Sequence, residues 1–357
     1  MGIGLSMSKQ SKTIKLGKYE VGEGFPPLFL PDIGTFFNQD IAKAEKMIRG
    51  LHQAGVMVVK GEILQSADIA LDIDYMENYL GHENEKITEN YRKLIERKVV
   101  SLEDYARLFE LCSSLDMSII VSVYDEEGVD FALQHNVIAL KVASSNITHR
   151  PLIEYICRQP IPIILDTGKA SFTEISQAVE WLEEFGKQDY ILQHSPKAPP
   201  APIEEHNMRF LSTLRLAYQK PVGLSDHHSG NEMLMVATVL GASILEKGLY
   251  LDGDPADQGT KHAIALSEVS DVLNTVRVIY HSLGNGKPSF NVTPHPARMG
   301  VVACTDIHEG EVLTREHVRF AFPERGIGVE SWHEIVGKKV STFVKAHTPI
   351  KPHDLTD

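Results

Sequence analysis

The sequence predicts an α/β protein, a (β/α)8 TIM barrel followed by a small all-β module. Three observations lead there. Between Pro27 and Leu283, eight short apolar runs alternate with segments of helical period; the runs are too apolar and β-branched for a sheet with one wet face; and the Gly/Pro-rich stretch GNGKPSFNVTPHP separates them from a tail of short strands and turns. A closed barrel is the economical arrangement of eight such units, with a doubly wound sheet as its rival. The expected division is an N-terminal extension over 1–26, the barrel over 27–283, a linker over 284–296 and the all-β module over 297–357.

The strands are expected at LFLPDI (28–33), VMVVK (56–60), SIIVS (118–122), VIALKVA (137–143), IPIILD (161–166), YILQ (190–193), PVGLSD (221–226) and ASILE (242–246). Helical period fills 41–54, 101–115, 126–134, 151–158, 172–185, 207–218, 233–240 and 267–282. Ser101 with Glu103 and Asp104, and Ser267 with Glu268, place acceptors and acids where helix starts favour them. Residues 61–100 interrupt the alternation with a polar, Tyr-bearing insertion, a lid candidate or a decorated surface. Beyond the linker, the turn at His308-Glu309-Gly310 and the absence of long helical patterns predict short strands.

Composition narrows the function. With 35 Lys+Arg against 48 Asp+Glu the formal charge is -13, which argues against a general nucleic-acid or anionic-membrane surface and leaves room for a local basic pocket. Cys112, Cys157 and Cys304 form no CxxC pair, so neither a disulfide framework nor a structural zinc site is expected. No apolar run reaches ~18 residues and no apolar leader opens the chain, so the expected location is the cytoplasm.

In a (β/α)8 barrel the site lies at the C-terminal strand ends. Here those ends carry Asp32, Lys60 with Glu62, Ser122, Lys141 with Ser144, Ser145 and Asn146, Asp166 with Thr167, Gln193 with His194, Asp226 with His227 and His228, and Glu246. Any one of these is as readily a solvated rim as a site; the set is harder to attribute to packing. Lys60 and Lys141 are the telling pair, because two ammonium groups converging on one mouth repel unless an anion lies between them. The histidines allow two roles, metal ligand or general base, and His227, His194, Glu246 and Asp226 are the candidate ligands.

At this point the order of motifs resembles the sialic acid (N-acetylneuraminate) synthase family. It is carried by P-D-I-G, V-V-K-G-E, L-K-V-A-S-S-N-I-T-H-R-P-L, P-I-I-L-D-T-G, G-L-S-D-H and G-A-S-I-L-E-K, spaced compatibly over roughly 27–350. The tail, with V-V-A-C-T-D-I-H-E-G-E-V-L-T, P-E-R-G-I-G and I-V-G-K-K-V, is similar to that family's antifreeze-like (SAF) domain. The resemblance implies condensation of phosphoenolpyruvate with an aldose or other aldehyde, release of phosphate, a divalent metal such as Mn, and a domain-swapped homodimer in which each antifreeze-like domain caps its partner's barrel. It places Lys60, Lys141 and Ser144 on phosphoenolpyruvate, Asp32 in the catalytic carboxylate's position, His227 as first metal histidine, and Glu62, Asn146, Lys261 and Arg325 on the acceptor side.

The departures from the pattern are specific. Asp32 replaces a catalytic Glu and shortens its reach by one methylene. Gly248 stands where the second metal histidine belongs, so a metal would need a rebuilt site recruiting His194 or Glu246 beside His227. Gln193-His194-Ser195-Pro196-Lys197-Ala198-Pro199 replaces H-C-T-x-x-Y-P, Ser122-Val123-Tyr124-Asp125 replaces S-T-P-F, Ser145-Asn146 replaces G-E, and residues 257–262 replace the region around G-P-D-H. Three readings therefore stand open. One is a divergent synthase, one a non-catalytic paralogue that binds a ligand or partner subunit, and one a metal-free aldolase using Lys60, Lys141 or Lys261 as Schiff-base nucleophile.

Overall fold

The computed structural model describes residues 13–80, 85–196, 201–254, 257, 259–288 and 297–356; residues 1–12 of the expected extension, 289–296 of the expected linker and 197–199 of the altered motif lie outside the described residues. The chain divides into two compact units, Met1–Gly284 and Asn285–Asp357.

In the first unit a hairpin of β1 (Thr13–Leu16) and β2 (Tyr19–Gly22) precedes β3 (Leu28–Gly34), α1 (Ile41–Gln53) and β4 (Val58–Glu62). The insertion contributes β5 (Met76–Leu80), β6 (Lys86–Asn90) and α2 (Tyr91–Glu96). Alternation then resumes with α3 (Leu102–Ser114), β7 (Ser118–Ser122), α4 (Glu126–Gln134), β8 (Ala139–Val142), α5 (Arg150–Cys157), β9 (Ile163–Asp166) and α6 (Phe172–Glu184). It continues through β10 (Tyr190–His194), α7 (Phe210–Tyr218), β11 (Val222–Asp226), α8 (Glu232–Val239), β12 (Ile244–Tyr250), the two-residue β13 (Ile264–Ala265) and α9 (Val269–Ser282). The eight strands β3, β4, β7, β8, β9, β10, β11 and β12 are all parallel, and β12 pairs with both β11 and β3, which closes the barrel. No described helix is long and apolar enough to cross a membrane.

Two boundaries moved for identifiable reasons. Ser101 caps α3 by accepting from the Asp104 amide, whereas the Ser267 hydroxyl donates to Asp252 at 2.6 Å and leaves α9 to begin at Val269. Strand β12 runs past the expected 242–246 because β13 pairs with Leu249 and Tyr250. That extension carries Lys247 and Gly248 within the wall, with Gly248 opposite Asp32.

The barrel has an apolar floor. Leu30, Val58, Ile120, Ala139, Ile164, Ile191 and Ile244 form one buried cluster with Ile14, Leu16 and Val21 of the hairpin, which therefore stoppers the N-terminal end of the barrel. The hairpin turn needs glycine at 17, where φ is +54° and an added Cβ would lie 2.7 Å from Ile138 Cγ2. A second, larger core lies between strands and helices, with Phe29, Met47, Leu140, Ile153, Leu165 and Leu192 among its buried members.

The insertion packs a small core of its own from Leu64, Ala70, Leu94 and Ile95. It is tied to the segment after β12 by Arg97, 2.6 Å from Asp257, and by Lys98 at 3.3 Å from the same carboxylate. The second unit pairs β14 (Gly300–Ala303) with β15 (Val318–Ala321) antiparallel, adds the short α10 (Trp332–Ile335), and buries Val301, Ile307, Leu313, Val318, Val344 and Ile350.

Candidate active site at the barrel mouth

Each floor residue sits two positions before a polar one. Leu30 leads to Asp32, Val58 to Lys60, Ile120 to Ser122, Ala139 to Lys141, Ile164 to Asp166, Ile191 to Gln193 and Ile244 to Glu246, and all of these polar residues are buried. Side chains of a strand alternate between faces, so both members of each pair point inward and a polar layer lies directly above the apolar one. On β11 the floor position is Gly223, where a Cβ would come within 2.2 Å of Ile244 Cγ1; Ser225 follows it and donates to Glu246 at 3.3 Å.

Glu246 is the centre of this layer. One of its oxygens is 2.6 Å from Lys141 Nζ and 3.8 Å from Lys60 Nζ, and the other accepts from Gln193 at 3.1 Å. Lys60 also reaches Asp32 at 2.7 Å and Glu62 at 3.4 Å, while Lys141 reaches Asp166 at 2.9 Å. Ser195 donates to Asp166 at 2.5 Å and Tyr124 to Glu62 at 3.0 Å. The anion that two converging lysines require is therefore supplied by the protein itself.

The layer holds four carboxylates against two ammonium groups. Burial would strip the charge from both lysines, yet Asp32 and Glu246 raise Lys60, and Asp166 and Glu246 raise Lys141, so both stay protonated. Burial opposes ionisation of Glu246 and Asp166, but Lys141 together with Lys60 holds Glu246, and Lys141 together with Ser195 and the Gly168 amide holds Asp166, below the usual carboxylate range. One carboxylate in so dry and acid-rich a layer keeps its proton near neutrality. It is Asp32, raised to about 7 by burial and by Glu246 and Glu62 against the pull of Lys60.

Above the layer the mouth carries buried polar atoms without hydrogen-bond partners: Asn146 Nδ2, Thr167 Oγ1, and the Nδ1 atoms of His227 and His262. The rings of His227 and His262 meet edge to face, 4.9 Å between centres. Burial lowers His227 to about 3 and His262 well below its ordinary value, so both imidazoles are neutral. A cavity of about 710 Å³ opens beside the lysine layer, lined by Thr167, Lys169, His194, Ser195, Asn207 and Phe210 among others, and it meets that layer at Ser195.

Comparison with known proteins places the chain. A sequence model of the NeuB family matches residues 47–288. The chain belongs to the NeuB family. A SAF-domain model matches residues 298–356. An uncharacterized protein of Methanocaldococcus jannaschii is 29% identical over 92% of this chain and 94% of its own length. The pseudaminic acid synthase of Helicobacter pylori is 27% identical over 92% and 98%. Among solved structures, a putative spore coat polysaccharide biosynthesis protein E from Chromobacterium violaceum superposes with a TM-score of 0.71 at 24% identity, covering 93% of this chain and all of that one. This likeness establishes the fold.

In this NeuB-family barrel the expected site residues separate into groups. Asp32, Lys60, Glu62, Lys141 and Glu246 converge on one ion-paired layer. Ser144 and Asn146 lie on the short 3-10 turn that follows β8, and Lys261 on the Thr260–His262 turn. Arg325 is exposed on the second unit. Asp226 belongs to a different pair, buried against Lys247 at 2.7 Å, and His228 turns to Glu232 at 3.2 Å.

The expected metal set of His227, His194 and Glu246 is not assembled. Among the described residues no group of three or more His, Cys, Asp or Glu is placed to hold an ion. Strand alternation is the reason for His194: Gln193 points inward to Glu246, so His194 faces the other way, its Nε2–H donating at 2.7 Å to the His206 carbonyl and its ring resting on Phe210. Glu246 is committed to the two lysines. His227 nevertheless fits a metal in one respect, its buried, partnerless Nδ1 on a neutral ring.

Sequence reasoning gave no role to Tyr124, Ser195 and Ser225, which the period-2 rule would have placed on the inner wall, or to His262, which closes the altered G-P-D-H region. Of the three open readings, the Schiff-base aldolase finds no support at Lys60 or Lys141. A nucleophilic amine must be neutral, and both ammonium groups are clamped by carboxylates.

Proposed function

We propose that this chain condenses phosphoenolpyruvate with an aldose or other aldehyde, releases phosphate and forms a nonulosonic-acid-type product for surface-glycan biosynthesis. The observation that carries it is the layer of Lys60, Lys141, Asp32 and Glu246 beneath a mouth of unsatisfied polar atoms. Membership of a family whose relatives are named pseudaminic acid synthase and N,N'-diacetyllegionaminic acid synthase supports the same reaction class.

In this reading Lys60 and Lys141 present positive charge to the phosphate and carboxylate of phosphoenolpyruvate, with Ser144 and Asn146 at their edge. The C3 carbon of phosphoenolpyruvate attacks the aldehyde carbon, and water adds at C2. Asp32, titrating near neutrality, takes a proton from that water. Collapse of the C2 adduct breaks its bond to the phosphate oxygen and leaves a ketone. One of the two water protons ends on the new hydroxyl and the other on inorganic phosphate. A divalent cation held by His227 would polarise the acceptor's carbonyl oxygen. Glu62, Lys261 and, across a domain-swapped homodimer, Arg325 of the antifreeze-like domain are assigned to the acceptor, and the cytoplasm is the proposed location.

The self-satisfaction of both lysines favours a second reading, a paralogue that binds phosphoenolpyruvate or a partner subunit without turnover. Phosphate release from phosphoenolpyruvate across a panel of aldoses, with and without Mn²⁺, decides between them. The synthase reading expects release with at least one acceptor, lost in Asp32→Asn. Binding without release supports the second reading, and neither binding nor release sinks both.

A further inference from the structure

A second cavity lies at the other end of the barrel. About 420 Å³ in volume, it opens where α7, α8 and α9 finish and where β11 and β12 begin, and residues 22–25, which join the hairpin to β3, close one side. Its lining includes Phe25, Arg215, Leu216, Ser243, Tyr280 and Leu283. None of these belongs to the lysine layer or the rim, which lie at the C-terminal ends of the same strands. Strand period explains how the cavity reaches the barrel wall. Ile244 faces the floor and Glu246 the polar layer, so Ser243 faces outward, beneath the helices.

We propose that this cavity is a binding site for a small organic anion, a carboxylate or phosphate group carried on an apolar or aromatic body. Arg215 supplies the charge. Its Nη2 donates to the Leu240 carbonyl at 2.6 Å and to the Gly241 carbonyl at 2.9 Å, which fixes the guanidinium against the end of α8. Both Nη2 hydrogens are thereby used, while Nε and Nη1 keep theirs without a partner among the described residues. The backbone makes room for this group. Gly241 has φ +76°, and a Cβ there would lie 3.3 Å from Nη2. Burial lowers the pKa of Arg215 below its usual range, with Glu23 acting against that, so the guanidinium is short of water and gains from an anion brought to it.

Two further observations point to a ligand. Ser243 is 3% exposed, its amide and carbonyl are spent on Val222 at 2.6 Å and Leu28 at 3.0 Å, and its hydroxyl has no partner among the described residues. A hydroxyl so placed on a cavity wall has a hydrogen bond left to make. The other observation is apolar surface: Leu216, 74% exposed, and Leu283, 46% exposed, share the lining with Phe25 and the Tyr280 ring. An apolar body covers them while its anionic head reaches Arg215. The second cation of the lining is already engaged, because Lys220 donates to the Gln188 carbonyl at 2.9 Å and lies 4.5 Å over the Tyr190 ring. Arg215 is therefore the group that reads the anion. The site shares no residue with the mouth, and it stands whether or not the proposed condensation does.

The test is titration of the full chain with benzoate and with phenyl phosphate, read by isothermal calorimetry, with benzyl alcohol as the uncharged control. At least one of the two anions is expected to saturate a single site, and benzyl alcohol to bind at least tenfold more weakly. Preference for benzoate assigns a carboxylate ligand and preference for phenyl phosphate a phosphate; either result upholds the site. Binding should weaken at least fivefold in Arg215→Gln and in Leu216→Glu, and stay unchanged in Lys169→Gln, which removes a cation of the cavity at the mouth. Leu216→Glu alters an exposed side chain, so it decides the matter if Arg215→Gln fails to fold. No saturable binding of either anion overturns the proposal. So does binding that survives both Arg215→Gln and Leu216→Glu, that benzyl alcohol matches, or that Lys169→Gln abolishes. Phosphate release from phosphoenolpyruvate on the same wild-type sample reports on the condensation alone, so the failure of either claim leaves the other standing.

Discussion

The lysine layer sits on the barrel strands and the histidine rim on the segments that follow them, and they answer burial in opposite ways. In the lysine layer Lys60, Lys141, Asp32, Asp166 and Glu246 are nearly inaccessible and bonded to one another. At the rim, Asn146, Thr167, His227 and His262 are held in place with atoms that nothing in the described protein satisfies. The difference separates two tasks. A self-paired layer sets a fixed electrostatic field and cannot lose a member cheaply; an unsatisfied rim has interactions left to make with something that arrives.

The comparison is sharpest at Lys141. Its removal in Lys141→Met leaves Glu246 and Asp166 buried without their cation, and the expected cost is about 3–5 kcal/mol by urea denaturation. A loss below about 1 kcal/mol would mean that water already shares the layer, and the contrast with the rim would collapse.

Asp32 gives the next effect, and its sign is fixed by the direction of its shift. Its folded value is raised from 3.8 to about 7, so between those pH values the folded chain holds a proton that the unfolded chain has released. Stability therefore falls as pH rises through that window, by at most about 1.4 kcal/mol per pH unit. Asp32→Asn should flatten the slope, and in the wild-type enzyme kcat/KM should fall below about pH 7 as Asp32 takes up its proton. A wild-type stability curve that is flat from pH 4 to 7 contradicts this account of the layer.

The smallest effect belongs to the rim. His227→Gln and His262→Gln remove nitrogens that have no intraprotein partner at Nδ1, so each should change the stability of the metal-free chain by less than about 1 kcal/mol, even where it abolishes ligand binding. A loss comparable to that of Lys141→Met would show that these rings serve the fold.

Much of the barrel was legible in the chain because its strands obey two local rules at once. IPIILD and ASILE are β-branched, apolar and end in a charge, and the strands Ile163–Asp166 and Ile244–Tyr250 include those ends. The N-terminal hairpin was passed over, although the L-G-K-Y turn carries a readable signal in Gly17; its strands are four residues each, too short for periodicity to register. The strand pair of the insertion was equally silent, since both strands are largely polar and carry little alternation.

For the site, the sequence by itself determined which groups reach the mouth, because a residue two positions beyond a floor Leu, Val, Ile or Ala must share its face. Asp32, Lys60, Lys141 and Glu246 follow from that rule alone. Only the closed barrel decided how they pair. Glu246 meets Lys141 across 105 residues of chain, and His262 meets His227 through the register of a two-residue strand. His194, a ligand candidate on the linear chain, was turned away by one step of strand alternation. Periodicity is a property of a segment and can be read from it, whereas the distance between two strand ends is set by how all the segments close on one another.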